Sequence, residues 1–324
     1  MSNLLEIDNL TVQFRGDAGW ITAVDDVSLN LLQGETLGIV GESGSGKSVT
    51  ALSILRLHTA ATTRHPTGRI VYAGKDMLAL TPRQLRAVRG REIAMIFQDP
   101  MSSLNPVLTI SDQISETLRL HQGLDAAASR ARAIELLELV RIPDARRRVD
   151  EYPHRLSGGM RQRVMIAIAI ACRPRLLIAD EPTTALDVTI QAQILDLLRE
   201  LQSSLGMSVI LISHDMGVIA EFAQRVVVMY AGRIVETAPV KDLFRKPFHP
   251  YTEGLLAAIP KLDVDVARLP TIRGSIPDPA QSISGCRYGP RCPVAVDRCR
   301  VEPPALLPAG PSRTARCPPR VAAS

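Results

Sequence analysis

Residues 41–48 read GESGSGKS, which matches the phosphate-binding pattern G-x-x-x-x-G-K-[ST]. An apolar run of strand length, 36–40, precedes the pattern, and an apolar helix is predicted from Ser48 to about Leu57. Glycines let the loop turn its N–H groups towards a phosphate, and a helix N-terminus adds partial positive charge. Lys47 would reach the β- and γ-phosphates, and the Ser48 hydroxyl would bind Mg²⁺. The residues assigned to the nucleotide here are Gly41, Ser43, Gly44, Ser45, Gly46, Lys47, Ser48 and Val49.

Two adjacent carboxylates, Asp180 and Glu181, follow a second apolar run at 176–179. In α/β proteins, ligands bind at the carboxyl ends of parallel strands. Asp180 fits a water-mediated Mg²⁺ ligand, and Glu181 fits a base that polarises an attacking water. An acidic pair at a strand end is by itself often only a turn. Combined with the phosphate loop, it predicts an enzyme that hydrolyses ATP.

The elements that must position these groups alternate between apolar runs and helical patterns, as in an α/β fold with buried, largely parallel strands. A third strand is predicted at 209–212. Apolar residues at helical spacing between Ile190 and Leu205 predict a helix that Gly206 would end. Residues 109–141 have no strand pattern and predict two amphipathic helices that separate near Gly123.

Composition limits the possible partners and the location. Aromatic residues make up only 3% of the 324 residues, which argues against a protein that stacks on bases, so no nucleic acid is expected. The net charge of +5 comes from scattered basic residues. No run has the roughly 18 apolar residues of a spanning helix, and the N-terminal residues do not resemble a signal peptide. We therefore expect a cytoplasmic protein that acts on a membrane only through partners.

The composition of the chain changes after about residue 255, where prolines and arginines become frequent. We predict an ATPase domain at 1–255, with a helical subdomain at about 98–172, and an accessory domain at 256–324. Four of the five cysteines lie in this last part: Cys286, Cys292, Cys299 and Cys317.

Residues 156–162, LSGGMRQ, resemble the signature motif of the ABC ATPases. The resemblance implies that Ser157, Gly158, Gly159 and Gln162 contact the ATP bound to an opposite subunit. It also implies a head-to-tail dimer with ATP at the interface. Backbone amides at a helix N-terminus suit that anion. An alternative is that these glycines only form a capping loop.

Other elements of that family follow in order. Gln98, in IFQDP, resembles the glutamine that senses Mg²⁺ and the γ-phosphate beside the transmembrane partner. Residues 185–187, with Asp187, resemble the loop that joins the two sites of the dimer. His214, in LISHD, resembles the switch histidine at the γ-phosphate, and Trp20 the aromatic residue that stacks on adenine. For His214 and Trp20 a purely structural role is the alternative.

The segments AMIFQDPMSSLNP, ACRPRLLIADEPTTALDVTIQAQI, KPFHPYTEGLLAAIP and GCRYGPRCPVAVDRCR resemble the dipeptide/oligopeptide importer ATPases, in particular the first of their two unequal ATPases. The resemblance implies an ABC-type phosphate-loop NTPase core of α/β class. An N-terminal antiparallel portion, an inserted helical subdomain and a small C-terminal cysteine-rich domain are expected with it. The implied partners are a second, related ATPase, two permease subunits and an extracytoplasmic solute-binding protein. The chain would then lie at the cytoplasmic face of the membrane.

Three hypotheses exist for the four cysteines. Zinc ribbons usually have two-residue gaps between ligands, and this tail has none. Disulfides conflict with a reducing compartment. A [4Fe–4S] cluster takes four thiolates, and the resembling importers carry one in this tail. Arginines close in sequence would offset the thiolate charge: Arg287, Arg291, Arg298, Arg300 and Arg316.

Two further classes of function compete with the peptide importer, apart from importers of nickel, glutathione or other small solutes. A soluble ABC ATPase that acts on DNA or ribosomes usually has long coiled-coil inserts or two fused ATPase halves, which this sequence lacks. A regulatory or redox module would use ATP only as a signal. The presence of both Glu181 and His214 argues against an inactive ATPase.

Overall fold

The computed structural model describes residues 2–17, 19–184, 186–259, 271–281 and 283–321. The strands are β1 (Asn3–Gly16), β2 (Gly19–Leu32), β3 (Thr36–Val40), β4 (Thr63–Arg64), β5 (Arg69–Tyr72), β6 (Lys75–Asp76), β7 (Ile93–Ile96), β8 (Leu176–Asp180), β9 (Ser208–Ile212), β10 (Arg225–Tyr230), β11 (Arg233–Pro239), β12 (Leu307–Pro308) and β13 (Thr314–Ala315). The helices are α1 (Lys47–Ile54), α2 (Pro82–Val88), α3 (Pro100–Ser103), α4 (Ile110–Gln122), α5 (Ala126–Leu139), α6 (Ala145–Arg148), α7 (Gly158–Ile170), α8 (Val188–Leu205), α9 (Met216–Phe222), α10 (Val240–Arg245), α11 (Pro250–Ala257), α12 (Arg298–Val301) and α13 (Pro318–Val321).

The chain divides into two compact units. The first unit contains Met1–Leu32, Thr36–Leu78 and Leu211–Ser324, and the second contains Gln33–Glu35 and Ala79–Ile210. The point of division at 210/211 lies inside β9. The phosphate loop and the cysteine-rich tail thus belong to the same unit, although more than half of the sequence separates them.

The first unit is built on two groups of strands. At the N-terminus β1 pairs antiparallel with β2, β4 and β5, which confirms the expected antiparallel portion. In the second group β3 pairs parallel with β10, and β10 pairs antiparallel with β11. The strands β13 and β12 continue this group from the C-terminal tail.

The strand β3 and the helix α1 carry the phosphate loop between them. All of β3 is buried, which explains why its sequence is a continuous apolar run rather than an alternating one. Its bounds match the prediction. The helix α1 ends at Ile54, short of the predicted end near Leu57, because Arg56 takes a left-handed φ of 50° that cannot continue the helix.

The second unit contains most of the helices. The pair α4 and α5 is separated at Gly123, whose φ of 68° gives α4 the left-handed cap that favours glycine. The helix α8 ends in the same way at Gly206, with a φ of 65°. Both features confirm the sequence prediction. In this unit β7 and β8 pair in parallel. Over the described residues of the whole chain, no helix has both the length and the apolar character needed to cross a membrane.

Candidate nucleotide site

The phosphate loop places Lys47 where it closes the loop on itself. The Lys47 Nζ atom donates to the carbonyl oxygens of Gly41 (2.8 Å) and Glu42 (3.0 Å). Lys47 is only 5% exposed, so these carbonyl oxygens, rather than water, stabilise its positive charge. The loop is tightened further by a hydrogen bond from the Ser45 N–H to the Glu42 carbonyl (3.1 Å). The result is a compact turn closed by a buried lysine.

Two glycines make this turn possible. A Cβ atom on Gly41 would lie 2.2 Å from the Met229 carbonyl oxygen, so only glycine fits there. Gly46 is the N-cap of α1 and has a left-handed φ of 98°. Because Gly46 has no side chain, α1 begins without a side-chain cap. Such an N-terminus, next to a lysine, is suited to bind phosphate.

A cavity of about 450 Å³ lies beside the loop within the first unit. Its lining includes Trp20, Gly44 of the phosphate loop, and Asp278 and Gln281 from the C-terminal segment. Trp20 is 40% exposed, and the guanidinium carbon of Arg64 lies 4.2 Å from the centroid of its ring. Trp20 therefore lines a pocket of ligand size, as an adenine-stacking residue would.

The two predicted carboxylates lie at the end of β8 in the second unit. Asp180 is its last residue and is 4% exposed. Glu181 follows with a left-handed φ of 48°, which is strained for a glutamate. Its Oε2 atom accepts hydrogen bonds from Gln98 Nε2 and Thr184 Oγ1, both at 2.9 Å. The structure thus brings Gln98 and Glu181 together, as a shared role would require.

The LSGGMRQ motif forms the start of α7. Ser157 is the N-cap, and its hydroxyl accepts from the Met160 N–H at 3.4 Å. Gly158 is exposed and Gly159 half-buried, so this helix N-terminus can be approached from outside. Gln162 is only 2% exposed, and its Nε2 atom has no hydrogen-bond partner among the described residues. A buried donor without a partner near a helix N-terminus fits a site that a ligand completes.

The two remaining predicted residues lie at element boundaries. Asp187 is the N-cap of α8, and its carboxylate accepts from the Ile190 N–H at 2.9 Å. Ala185, also predicted for this loop, lies outside the described residues. His214 is exposed just after β9, next to Asp215, which caps α9. These positions do not test the roles predicted for Asp187 and His214, which stay predictions.

The four tail cysteines line one cavity of about 460 Å³. Burial raises the pKa of the Cys286 and Cys292 thiols, and it raises the pKa of Cys317 to about 11. Among the residues that the structure describes, no group of three or more His, Cys, Asp or Glu side chains is arranged to hold a metal ion. The structure therefore supports a common location for the four thiols, and it does not support the predicted metal centre.

The five arginines close in sequence to the cysteines were expected to offset thiolate charge. Four of them instead pair with carboxylates: Arg287 with Asp25, Arg291 with Glu42, Arg298 with Glu302 and Arg316 with Asp26. The physical reason is that ionised carboxylates are better partners than thiols whose raised pKa keeps them protonated. Three of these pairs join the tail to the N-terminal 42 residues.

Two contacts to the phosphate loop were not predicted from the sequence. The Tyr251 hydroxyl and the Arg291 guanidinium both bind Glu42 inside the phosphate loop. Both residues lie in segments quoted above for their resemblance, KPFHPYTEGLLAAIP and GCRYGPRCPVAVDRCR. No local sequence pattern predicts that these residues contact the phosphate loop, because hydrophobic periodicity carries information only about residues close together in the chain.

The loop, its lysine and the carboxylate after a buried strand define a phosphate-loop ATPase. Residues 24–184 match the ABC transporter family, and residues 235–299 match the family described as oligopeptide/dipeptide transporter, C-terminal region. A Brucella abortus (strain 2308) protein named as a peptide import ATP-binding protein is 62% identical over 98% of this chain and 95% of its own length. The oligopeptide transport ATP-binding protein AppD of Bacillus subtilis (strain 168) is 52% identical over 98% of this chain and 97% of its own. The chain therefore belongs to the ATP-binding proteins of ABC transporters.

A solved structure agrees with this assignment. The dimeric post-hydrolysis structure of the ATP-binding cassette MJ0796, bound to ADP and Pi, is 29% identical with a TM-score of 0.66. The match covers 73% of this chain and 98% of that cassette. The fold of the core is thus that of an ABC ATPase.

Proposed function

We propose that this chain is the ATP-hydrolysing subunit of an ABC importer that takes up di- and oligopeptides. The observation that carries the ATPase assignment is the hydrogen bond between Gln98, which follows β7, and Glu181, which follows β8, in a chain that also holds a complete phosphate loop. The peptide assignment rests on relatives named for peptide import that align with nearly the whole chain. It also rests on the match of the tail to the oligopeptide/dipeptide transporter C-terminal region.

Each proposed role follows from the chemistry of the residue. Lys47 exchanges its bonds to the loop carbonyls for bonds to the β- and γ-phosphates, because the phosphates carry full negative charge. Ser48, Gln98 and Asp180 supply the oxygen ligands that Mg²⁺ prefers, and bound Mg²⁺ would neutralise charge on the phosphates. Glu181 accepts a proton from the attacking water, with Gln98 and Thr184 holding its carboxylate. His214 contacts the γ-phosphate, and Trp20 stacks on adenine.

The signature segment acts on the ATP of a second subunit. Its serine, two glycines and buried glutamine amide offer hydrogen-bond donors to a γ-phosphate in trans. Asp187 connects the two sites of the dimer. The second ATPase is a related chain, and the pair drives two permease subunits that a solute-binding protein supplies with peptide. The ATPase domain would be 1–255, with the helical subdomain at about 98–172 and the accessory domain at 256–324, at the cytoplasmic face of the membrane.

The test is ATP turnover by the assembled complex after Glu181→Gln. This isosteric change removes the base while the amide still reaches Gln98 and Thr184. We expect hydrolysis to fall by about a hundredfold to ten-thousandfold with ATP binding retained. Lys47→Ala is the matched control, in which binding itself is lost. Turnover near the wild-type rate in Glu181→Gln would refute the assignment of the base. Uptake of labelled dipeptides, nickel and glutathione by the same complex then identifies the solute.

The [4Fe–4S] cluster remains a separate proposal for the tail. Its support is that the four thiols share one cavity, and that a cluster holds its ligands farther apart than a single ion does. The measurement is iron, acid-labile sulfide and zinc per chain after anaerobic purification. Four irons and four sulfides, lost in Cys286→Ser and Cys299→Ser, support the cluster. Zinc alone, or no metal, rejects it and leaves the ATPase assignment unchanged.

A further inference from the structure

Glu42, the second residue of the phosphate loop, is contacted by the C-terminal part of the chain at two separate groups. Its N–H donates to the Tyr251 hydroxyl at 2.8 Å. Its carboxylate Oε2 accepts from Arg291 Nη1 at 2.9 Å. Its carbonyl oxygen accepts from Lys47 Nζ at 3.0 Å. Every polar group of this residue is therefore engaged, two of them by residues more than two hundred positions away.

Arg291 is held rigidly before it meets Glu42. Its side chain is only 7% exposed. The Nε atom donates to the carbonyl of Arg273 (2.7 Å), and Nη2 donates to the carbonyls of Ile272 (3.3 Å) and Gly274 (3.1 Å). A planar guanidinium with several donors already bound cannot change rotamer freely. The salt bridge to Glu42 therefore costs little side-chain entropy.

Tyr251 is fixed equally well by packing. It is fully buried in α11, with its ring centroid 4.7 Å from that of Tyr230 and 5.4 Å from that of Tyr288. Tyr288 and Arg291 both lie between Cys286 and Cys292. The aromatic cluster thus places the Tyr251 hydroxyl and the Arg291 guanidinium at one point of the phosphate loop.

We propose that Tyr251 of α11 and Arg291 of the cysteine-rich tail are positioning residues that hold the phosphate loop ready for ATP. This inference rests on the proposed function, since it takes the loop as the ATP site. When ATP binds, Lys47 leaves the carbonyls of Gly41 and Glu42, and the loop loses its internal bonds to the lysine. The bonds from Tyr251 and Arg291 remain and keep the loop in shape, so less conformational entropy is lost on binding.

Arg291 has a second effect, which is electrostatic. The Glu42 carboxylate belongs to the loop that receives a polyphosphate, and two negative charges at short range repel each other. The pairing with Arg291 neutralises that carboxylate. Removal of Arg291 alone should therefore weaken ATP binding more than removal of both charges.

The experiment measures the Kd for ATP with the full chain, and kcat and KM with the assembled complex. We expect Arg291→Gln to raise Kd and KM about tenfold, the order expected for one charge-assisted hydrogen bond, with kcat within about twofold. Glu42→Gln combined with Arg291→Gln should recover most of that loss. Tyr251→Phe removes only the hydroxyl and should raise Kd by a few fold. Arg298→Gln is the matched control, because Arg298 lies in the same tail and its pair with Glu302 is exposed.

Equal Kd values for Arg291→Gln and Arg298→Gln would overturn the proposal. So would a double variant no better than Arg291→Gln, because a purely structural role of Arg291 would not be rescued at Glu42. Thermal unfolding checks that each variant folds. If Arg291→Gln does not fold, Tyr251→Phe and Glu42→Gln test the contact instead. ATP binding that Lys47→Ala leaves unchanged would refute the proposed function, and this inference with it.

Discussion

His249 makes the stability of the tail-bearing unit dependent on pH. The residue is 2% exposed, and its Nδ1 atom accepts from the Tyr251 N–H at 3.1 Å as the N-cap of α11. Its own N–H donates to Glu236 Oε2 at 2.9 Å. Burial, followed by the positive charges of Arg320 and Arg316, lowers the pKa of His249 to about 3. The ring is therefore neutral at pH 7.

The size of the effect follows from the two pKa values, about 3 in the folded chain and 6.5 as the ordinary value. Between these values the unfolded chain binds more protons, so the free energy of unfolding falls as the pH falls. The contribution of His249 is fully present above pH 6.5 and is lost towards pH 3. Integration gives a loss of about 2 kcal/mol between pH 7 and pH 5.

The assay is urea unfolding of the wild type and His249→Asn at pH 7 and pH 5. An asparagine oxygen can accept the Tyr251 N–H as an N-cap, and it does not titrate in this range. Other titrating groups are common to both proteins and cancel. We expect the wild type to lose about 2 kcal/mol more than the variant between the two pH values. The same pH dependence in both proteins would refute a neutral, buried His249.

Three further predictions concern the candidate site. Gly159→Ala should lower the free energy of unfolding by about 1–3 kcal/mol, since its Cβ would lie 2.8 Å from Ile190 Cγ2, and Ile190→Ala should relieve this loss in urea unfolding. Trp20→Ala should raise the Kd for ATP about tenfold, while Trp20→Phe keeps most of the affinity. Because Trp20 is the only tryptophan of the sequence, calorimetric titration measures the Kd, and equal values for the wild type and Trp20→Ala would exclude stacking. Asp187→Ala should cost about 1 kcal/mol of unfolding free energy through the lost N-cap of α8, whereas Asp187→Asn should not; equal losses would rule out the cap.

The metal centre predicted for the cysteine tail is the part of the sequence analysis that the structure does not support. The crowding of four cysteines and the resemblance to the peptide importers predicted a [4Fe–4S] cluster, with arginines close in sequence to offset its charge. In the structure the thiols share a cavity, but the described side chains have no metal-binding arrangement, and the arginines pair with carboxylates. Ligand geometry and charge pairing depend on directions in space, and spacing along a chain does not report them.

The sequence alone determined the local elements that bear the chemistry. Apolar patterns predict the strand β3 and the helix α8, and a glycine predicts where that helix ends. The glycines of the phosphate loop predict its turn, because a side chain at Gly41 would not fit. Tertiary structure alone decided that Arg291 binds Glu42, 249 residues away. Such a contact exists because the paired strands β10 and β11 and the tail bring distant segments together, and packing at that range leaves no periodic trace in the sequence.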